Sequence, residues 1–188
     1  MAYVSAADLK TYLGVTGAGD DALLAVLITG AQQAVDNYCR RTFEASADST
    51  RYYTVFKDTD NFVLWLDEDL CAITSITNGD SVAVAADEYT TIPKNETPYY
   101  KIKLLASGGK SWTYDDDPED AITIVGKFAY STTAPADIVQ ATKRLAAFYY
   151  RQKDSPLVDV TAIEAGTVIR TPGMPPDVKA LLMPYRVL

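Results

Sequence analysis

The side chains in this sequence that could do chemistry are almost all carboxylates. The 188 residues include 25 acidic residues and two cysteines but no histidine. Without histidine, the chain lacks the commonest general base and the usual activator of a serine or cysteine nucleophile. Cys39 and Cys71 provide too few sulfur donors for a zinc site, and both thiols are expected to be buried. We therefore expect no enzymatic activity, no bound metal and no other cofactor.

The carboxylates are densest in two clusters, DDDPED at 115–120 and DED at 67–69. The first cluster lacks the alternating ligand positions and the glycine of an EF-hand loop, so it is interpreted as a solvated turn between two strands. The second is interpreted as an acidic loop rather than a pair of catalytic carboxylates. Gly108-Gly109 is not expected to bind phosphate, because no helix is predicted after it.

The charge is unevenly distributed along the chain. Residues 58–120 contain 14 acidic residues and four lysines, a net charge of −10, whereas the other residues carry +2. Such an acidic block repels free nucleic acid. The longest apolar run, residues 22–28, is too short to cross a bilayer, so no membrane partner is expected. The sequence does not begin with a basic segment followed by an apolar one, so no signal peptide is expected and the protein should remain in a cytoplasm.

These residues must be positioned by a scaffold whose central element is a predicted helix over residues 20–43. Its apolar residues recur at spacings of three and four, as in an amphipathic helix with one face in the core. A strip beside that face carries mostly small side chains four residues apart: Ala22, Val26, Gly30 and Ala34. We call these four residues the small-residue strip. Either the helix lies in the core of one domain, or the strip packs against a neighbouring copy of the chain.

Further helices are predicted near residues 5–13, 135–153 and 176–183, and the segment between the second and third helices has a different hydrophobic period. From Arg51 the period is two, which is typical of half-buried strands. Seven strands are predicted there, at 51–56, 62–66, 71–77, 81–85, 88–92, 100–105 and 121–130, with turns at 78–80 and 107–110. The predicted fold class is α+β: a helical core of residues 1–50 and 130–188, interrupted by an antiparallel β-sandwich or barrel-like insertion over 51–129.

Thirteen tyrosines are more than a chain of this length usually has, and six of them stand in adjacent pairs at 52–53, 99–100 and 149–150. Adjacent residues of a strand point to opposite faces of the sheet, so one ring of a strand pair should be inside and the other outside. Exposed tyrosine rings often mark protein interfaces. Strand propensity and core filling also explain the excess, and we favour that explanation.

Several stretches together resemble one family, the head–tail connector (adaptor or head-completion) proteins of long-tailed bacteriophages. The resemblance is carried by DLKTYLGV followed by DDALLAVLITGAQQAVDNYCRRTFE, by DEYTTIPKNETPYYKIKLL, by PADIVQATKRLAAFYYRQKD, and by the ending PPDVKALLMPYRVL. These stretches occur in the order typical of the family, with helices flanking a β insertion. Residues 154–173 have little to compare, and the ending has one arginine where two are frequent.

The resemblance implies a structural protein of the virion neck, made in the host cytoplasm. Members form a ring of about twelve subunits between the portal and the stopper or tail-completion protein, and cyclic closure requires head-to-tail contacts. Genomic DNA passes through the channel without sequence-specific binding. An acidic channel would suit this passage, because a basic lining would hold phosphates.

On this interpretation, two sets of residues are expected to make contacts. The small-residue strip would form the ring interface, and the final residues Pro184, Tyr185, Arg186 and Leu188 would dock on the portal. The alternative is a non-enzymatic virion module that binds a receptor or a carbohydrate through its β insertion. A groove lined by Trp65 or Trp112 would favour that alternative.

Overall fold

The computed structural model describes residues 2–153, 161–162, 168–169 and 173–187, which contain four helices and two antiparallel sheets with a further two-stranded pair. The helices are α1 (Ala6–Leu13), α2 (Asp21–Cys39), α3 (Ala136–Gln152) and α4 (Pro176–Leu182), and a 3-10 turn (Met183–Tyr185) follows α4. The strands are β1 (Ser49–Tyr53), β2 (Thr59–Asp60), β3 (Val63–Leu70), β4 (Ala72–Thr77), β5 (Tyr89–Ile92), β6 (Tyr99–Leu104), β7 (Ile122–Lys127), β8 (Thr161–Ala162) and β9 (Val168–Ile169). The predicted α+β fold class is confirmed.

The chain divides into two compact units. The helical unit comprises Ala2–Arg40 and Pro135–Leu188, and the β unit comprises Arg41–Ala134. The predicted domains place the β insertion at 51–129. Whether that segment is a separate module remains a prediction, and it is tested by deletion below.

Local signals set the ends of the first two helices. Ser5 caps α1, because its Oγ accepts a hydrogen bond from the Asp8 backbone N–H at 3.1 Å. Gly14 ends α1 in the left-handed conformation at φ 72°, which glycine adopts without a Cβ clash, as expected from the sequence. α2 ends earlier than the predicted 20–43, because Arg40 adopts φ 56° and breaks the helical path.

The helical unit buries one face of each helix. In α2 the buried residues recur at spacings of three and four, so the predicted core face is confirmed at Leu24, Ile28, Ala31 and Val35. The helices that pack with α2 bury Leu9 of α1, Ile138, Ala141 and Leu145 of α3, and Val178 and Leu182 of α4. Both cysteines are buried, as expected.

The β unit is a sandwich of two antiparallel sheets with strand orders β1-β7-β4 and β2-β3-β6-β5. Apolar residues from both sheets, among them Ile122 and Ile124 of β7 and Leu64 and Ile102 of the other sheet, form one core. Of the two expected alternatives, a sandwich or a barrel-like insertion, the described residues form the sandwich and no closed barrel.

The predicted strand at 81–85 is wrong. This segment makes one isolated bridge, Thr77 with Ala83, and its backbone is used in a turn. The turn closes on the backbone of Asn78, whose N–H donates to the Val82 carbonyl oxygen and whose carbonyl oxygen accepts from the Ser81 N–H, both at 2.9 Å. The buried Asn78 side chain is fixed in turn: its Nδ2 donates to the Ser111 carbonyl oxygen, and its Oδ1 accepts from the Gly79 and Thr113 N–H groups. The predicted hairpin turn at 107–110 is a 3-10 turn, Ala106–Gly108, ended by Gly109.

Candidate functional site

The small-residue strip lies on the solvent side of α2. Ala22, Val26 and Gly30 are exposed, Val26 with 68% of its surface accessible, and Ala34 is half-buried. A Cβ built on Gly30 would have no described atom within 4 Å, apart from the backbone of its own helix. Within the described part of one chain, this face therefore has room for a second element to approach closely.

The predicted portal-docking residues do not form a loose tail. The Tyr185 hydroxyl contacts an Asp137 carboxylate oxygen at 3.4 Å, and the Arg186 guanidinium lies 5.5 Å from the centre of the Tyr38 ring. The Val187 N–H donates to the Cys39 carbonyl oxygen at 3.0 Å. Pro184 is exposed, and Leu188 lies outside the described residues. The end of the chain is thus held against α2 and α3.

Asp67, Glu68 and Asp69 lie in strand β3, so the prediction of a loop at residues 67–69 is wrong. Each carboxylate has a partner from another part of the β unit. The Tyr53 hydroxyl donates to Asp67 at 3.1 Å, Arg51 pairs with Glu68 at 2.9 Å, and Arg41 pairs with Asp69 at 3.2 Å. Burial raises the pKa of Asp69, and the Arg41 charge opposes that rise. These partners allow three consecutive acids to remain in a strand.

The cluster at 115–120 is an exposed turn before β7, as expected, and we call it the acidic loop. Its second half is tied to the residues that follow β1, because the Val55 N–H donates to the Pro118 carbonyl oxygen at 2.9 Å and the Asp120 N–H donates to Thr54 Oγ1 at 3.2 Å. At its start, the Asp115 N–H donates to the Gly79 carbonyl oxygen at 3.3 Å. The described residues contain no group of three or more potential ligands arranged to hold a metal ion.

The two tryptophans do not line a common groove. Trp112 is 5% exposed and belongs to the sandwich core, so it cannot form the wall of a carbohydrate site. Trp65 is 40% exposed and lies on the outer face of the four-stranded sheet, where the Lys101 ammonium is 5.7 Å from its ring centre. The same ammonium is 5.8 Å from the ring centre of Tyr100.

The sequence predicts the direction of the lysines in this group but not their aromatic neighbour on β3. The alternation Lys101-Ile102-Lys103 predicts that both lysines face away from the core, and the structure buries Ile102 between them. The sequence has no local signal that pairs Trp65 with Lys101, because that pairing depends on the β3–β6 register.

Comparison with known proteins identifies the family. A family model described as "Head completion protein" matches residues 2–188. The chain belongs to the head completion protein family. Head completion proteins are structural virion proteins, so the resemblance to phage head-completion proteins and the expectation of a non-enzymatic role are confirmed. No curated protein matches the chain in sequence.

Three solved structures of gene transfer agent (GTA) particles have chains similar in fold to this head completion protein. A chain from the neck of the empty GTA particle, computed with C6 symmetry, has a TM-score of 0.60 at 16% identity, covering 99% of this chain and 90% of that chain. A chain from the neck of the native GTA particle, computed with C12 symmetry, has a TM-score of 0.59 at 18% identity, covering 97% and 87%. A chain from the native GTA virion has a TM-score of 0.59 at 18% identity, covering 99% and 90%. No helix in the described parts of the chain is long and apolar enough to cross a membrane.

Proposed function

We propose that this head completion protein is a subunit of a ring adaptor in a virion neck, placed between the portal and the stopper or tail-completion protein. The family match over residues 2–188 and the fold shared with chains of sixfold and twelvefold symmetric necks support this role. The observation that carries the proposal for this chain is the unpacked small-residue strip on α2.

A cyclic ring needs two different surfaces on every subunit, because each subunit contacts its neighbours head to tail. The small-residue strip provides one such surface. Val26 exposes a large apolar side chain, and Gly30 leaves an open space beside it. Leu23, also exposed on α2, extends the apolar area. A neighbouring element that covered this face would bury the apolar side chains at close range.

Genomic DNA would pass through the channel of this ring without being gripped. The net charge of −8, concentrated in residues 58–120, opposes tight phosphate binding. DNA passage therefore requires no sequence-reading residues in the chain.

The ring interface is tested by Gly30→Leu. Replacing a helical glycine should stabilise the monomer by up to about 1 kcal/mol, since no atom of the described residues outside α2 lies within 4 Å of the new Cβ. Overpacking a close contact costs about 1–3 kcal/mol, and the ring repeats that cost at every joint. We expect a folded monomer that forms no ring in negative-stain images, either alone or mixed with the portal.

The matched control is Ala25→Leu, which adds the same side chain at an exposed position of α2 outside the strip. This variant should assemble like the wild type. If Gly30→Leu assembles normally, the ring contact lies elsewhere. If Gly30→Leu unfolds the monomer, the strip belongs to the subunit's own core.

Portal docking by Pro184, Tyr185, Arg186 and Leu188 is tested by deleting residues 184–188. The deletion should weaken binding to the portal while leaving self-association intact. Because Val187 and Tyr185 also contact the helical unit, a thermal melt must show that the truncated protein is folded. Unchanged portal binding by the folded, truncated protein would rule out this docking role.

A further inference from the structure

The outer face of the four-stranded sheet carries a basic and aromatic group inside an acidic unit. Strand register places Trp65 opposite Lys101, and Val63 opposite Lys103, on the side of the sheet away from the core. Each of these pairs is part of a row of residues that runs across the sheet. On β5, Thr90 pairs with Lys103 and Ile92 pairs with Lys101, so they extend the two rows. We call the surface formed by Trp65, Lys101 and Lys103 the lysine face.

The lysine face keeps its positive charge after the internal ion pairs of the β unit are counted. Lys110 pairs with Glu88 at 2.6 Å, and Arg41 and Arg51 pair with carboxylates of β3. Lys101 and Lys103 have no ion pair with any described residue. Asp60 lies in the row of Lys103, but Val63 of β3 stands between them.

The acidic loop has an excess of negative charge, opposite in sign to that of the lysine face. The carboxylates of Asp115 and Asp116 are exposed and accept no hydrogen bond from a described residue. The second half of the loop is held to the residues that follow β1, and its start is held to Gly79, which follows β4. β1 and β4 both belong to the three-stranded sheet. The lysine face belongs to the other sheet. The uncompensated charges of opposite sign are therefore on two different surfaces of the same chain.

We propose that the lysine face of one subunit contacts the acidic loop of the next subunit, a second copy of this chain. The contact rests on the proposed function, because it requires a ring. Head-to-tail closure needs unlike surfaces that fit each other, and opposite charge adds such a pair to the contact of the small-residue strip at every joint. It also relieves the repulsion between neighbouring acidic units, each carrying −10 over residues 58–120.

The aromatic rings make Lys101 a suitable anchor for a carboxylate. Its ammonium lies 5.7 and 5.8 Å from the ring centres of Trp65 and Tyr100, and the residue is half-buried, so the charge is partly shielded from water. Tryptophan and tyrosine around a charged group are typical of interface positions that contribute strongly to binding. DNA phosphates are the competing ligand for two lysines, but the acidic charge of the surrounding unit favours a fixed protein carboxylate held close by the ring.

The test is a charge exchange between the two surfaces. One variant carries Lys101→Glu and Lys103→Glu, and the other carries Asp115→Lys, Asp116→Lys and Glu119→Lys, which changes the net charge of residues 115–120 from −5 to +1. Each variant alone would face like charge at every joint, so the concentration at which half of the protein is in rings should rise about tenfold or more. An equimolar mixture should form rings at nearly the wild-type concentration, because alternating subunits place opposite charges together at all joints.

Lys127→Glu is the control, since it reverses a lysine of the three-stranded sheet that lies in neither surface, and it should assemble like the wild type. A thermal melt of each variant shows whether it is folded. Assembly of either folded variant alone at the wild-type concentration, or failure of the mixture to recover, would overturn the contact and leave the ring standing. A wild-type protein that forms no ring, alone or on the portal, would overturn the proposed function and the contact together.

Discussion

Asp36 of α2 is expected to destabilise the helical unit at neutral pH. Its carboxylate is half-buried and accepts a hydrogen bond from the Tyr3 hydroxyl at 2.8 Å. Burial raises the pKa of Asp36 to about 6, although the hydrogen bond from Tyr3 acts in the opposite direction. The folded protein therefore binds a proton more tightly at Asp36 than the unfolded chain does, whose aspartate pKa is about 3.9.

The sign of the pH dependence follows from this difference. Below the unfolded pKa the carboxyl group is protonated in both states, and its contribution to the stability is fully present. As the pH rises from about 4 to about 6, that contribution is lost, because the unfolded chain releases the Asp36 proton while the folded protein still holds it. Above about pH 6 the loss is complete.

The variant Asp36→Asn removes the charge and keeps an oxygen that can accept from Tyr3. A shift of two pKa units corresponds to about 2.7 kcal/mol, and solvent access to a half-buried group reduces the expected effect to about 1–2 kcal/mol. At about pH 7.5 the variant should be more stable by that amount, which is a rise of roughly 2–8 °C in Tm for a chain of this size. At about pH 4 the two proteins should melt together.

Thermal or urea unfolding at the two pH values measures this difference. Asp137→Asn is the control, because Asp137 also contacts a tyrosine hydroxyl but lies exposed in the first turn of α3. Its carboxylate favours the helix N-terminus, so its removal should cost less than about 1 kcal/mol at neutral pH. An Asp36→Asn protein that is equally stable or less stable than the wild type at about pH 7.5 would refute the reasoning.

Two further predictions concern packing. Gly126→Ala should destabilise the β unit by about 3 kcal/mol or more, because a Cβ on Gly126 of the central strand β7 would overlap the Ala72 carbonyl oxygen of β4. Gly30→Ala, by contrast, should stabilise the protein by up to about 1 kcal/mol. Urea unfolding compares the two variants, and equal changes in the free energy of unfolding would contradict the packing described. Replacing residues 51–129 with a short Gly/Ser linker should preserve the helical circular dichroism signal and a cooperative melt, and loss of both would show that the helices depend on the sheets.

The helices and most strands could be predicted from the sequence because their signals are local. The core face of α2 follows from apolar residues three and four apart, and the N-cap Ser5 and the terminating Gly14 act on the backbone beside them. The alternation in β6 predicts that Ile102 faces the core and that Lys101 and Lys103 face away from it. The strip of small residues on α2 was also readable, since it requires only the helical period.

The tertiary structure alone decided which distant residues meet. Arg41, Arg51 and Tyr53 keep the three acids of β3 in a strand, although an acidic triplet by itself indicates a loop. The run at 81–85 has strand-like periodicity, yet its first residues form a turn with the Asn78 backbone and the run makes one isolated bridge.

The lysine face likewise depends on the pairing of β3 with β6, whose central residues are more than thirty positions apart. Periodicity records which side of an element is buried, but the register between strands is set by the whole sandwich core. The charges that remain unpaired on the surface could therefore be identified only in the folded chain.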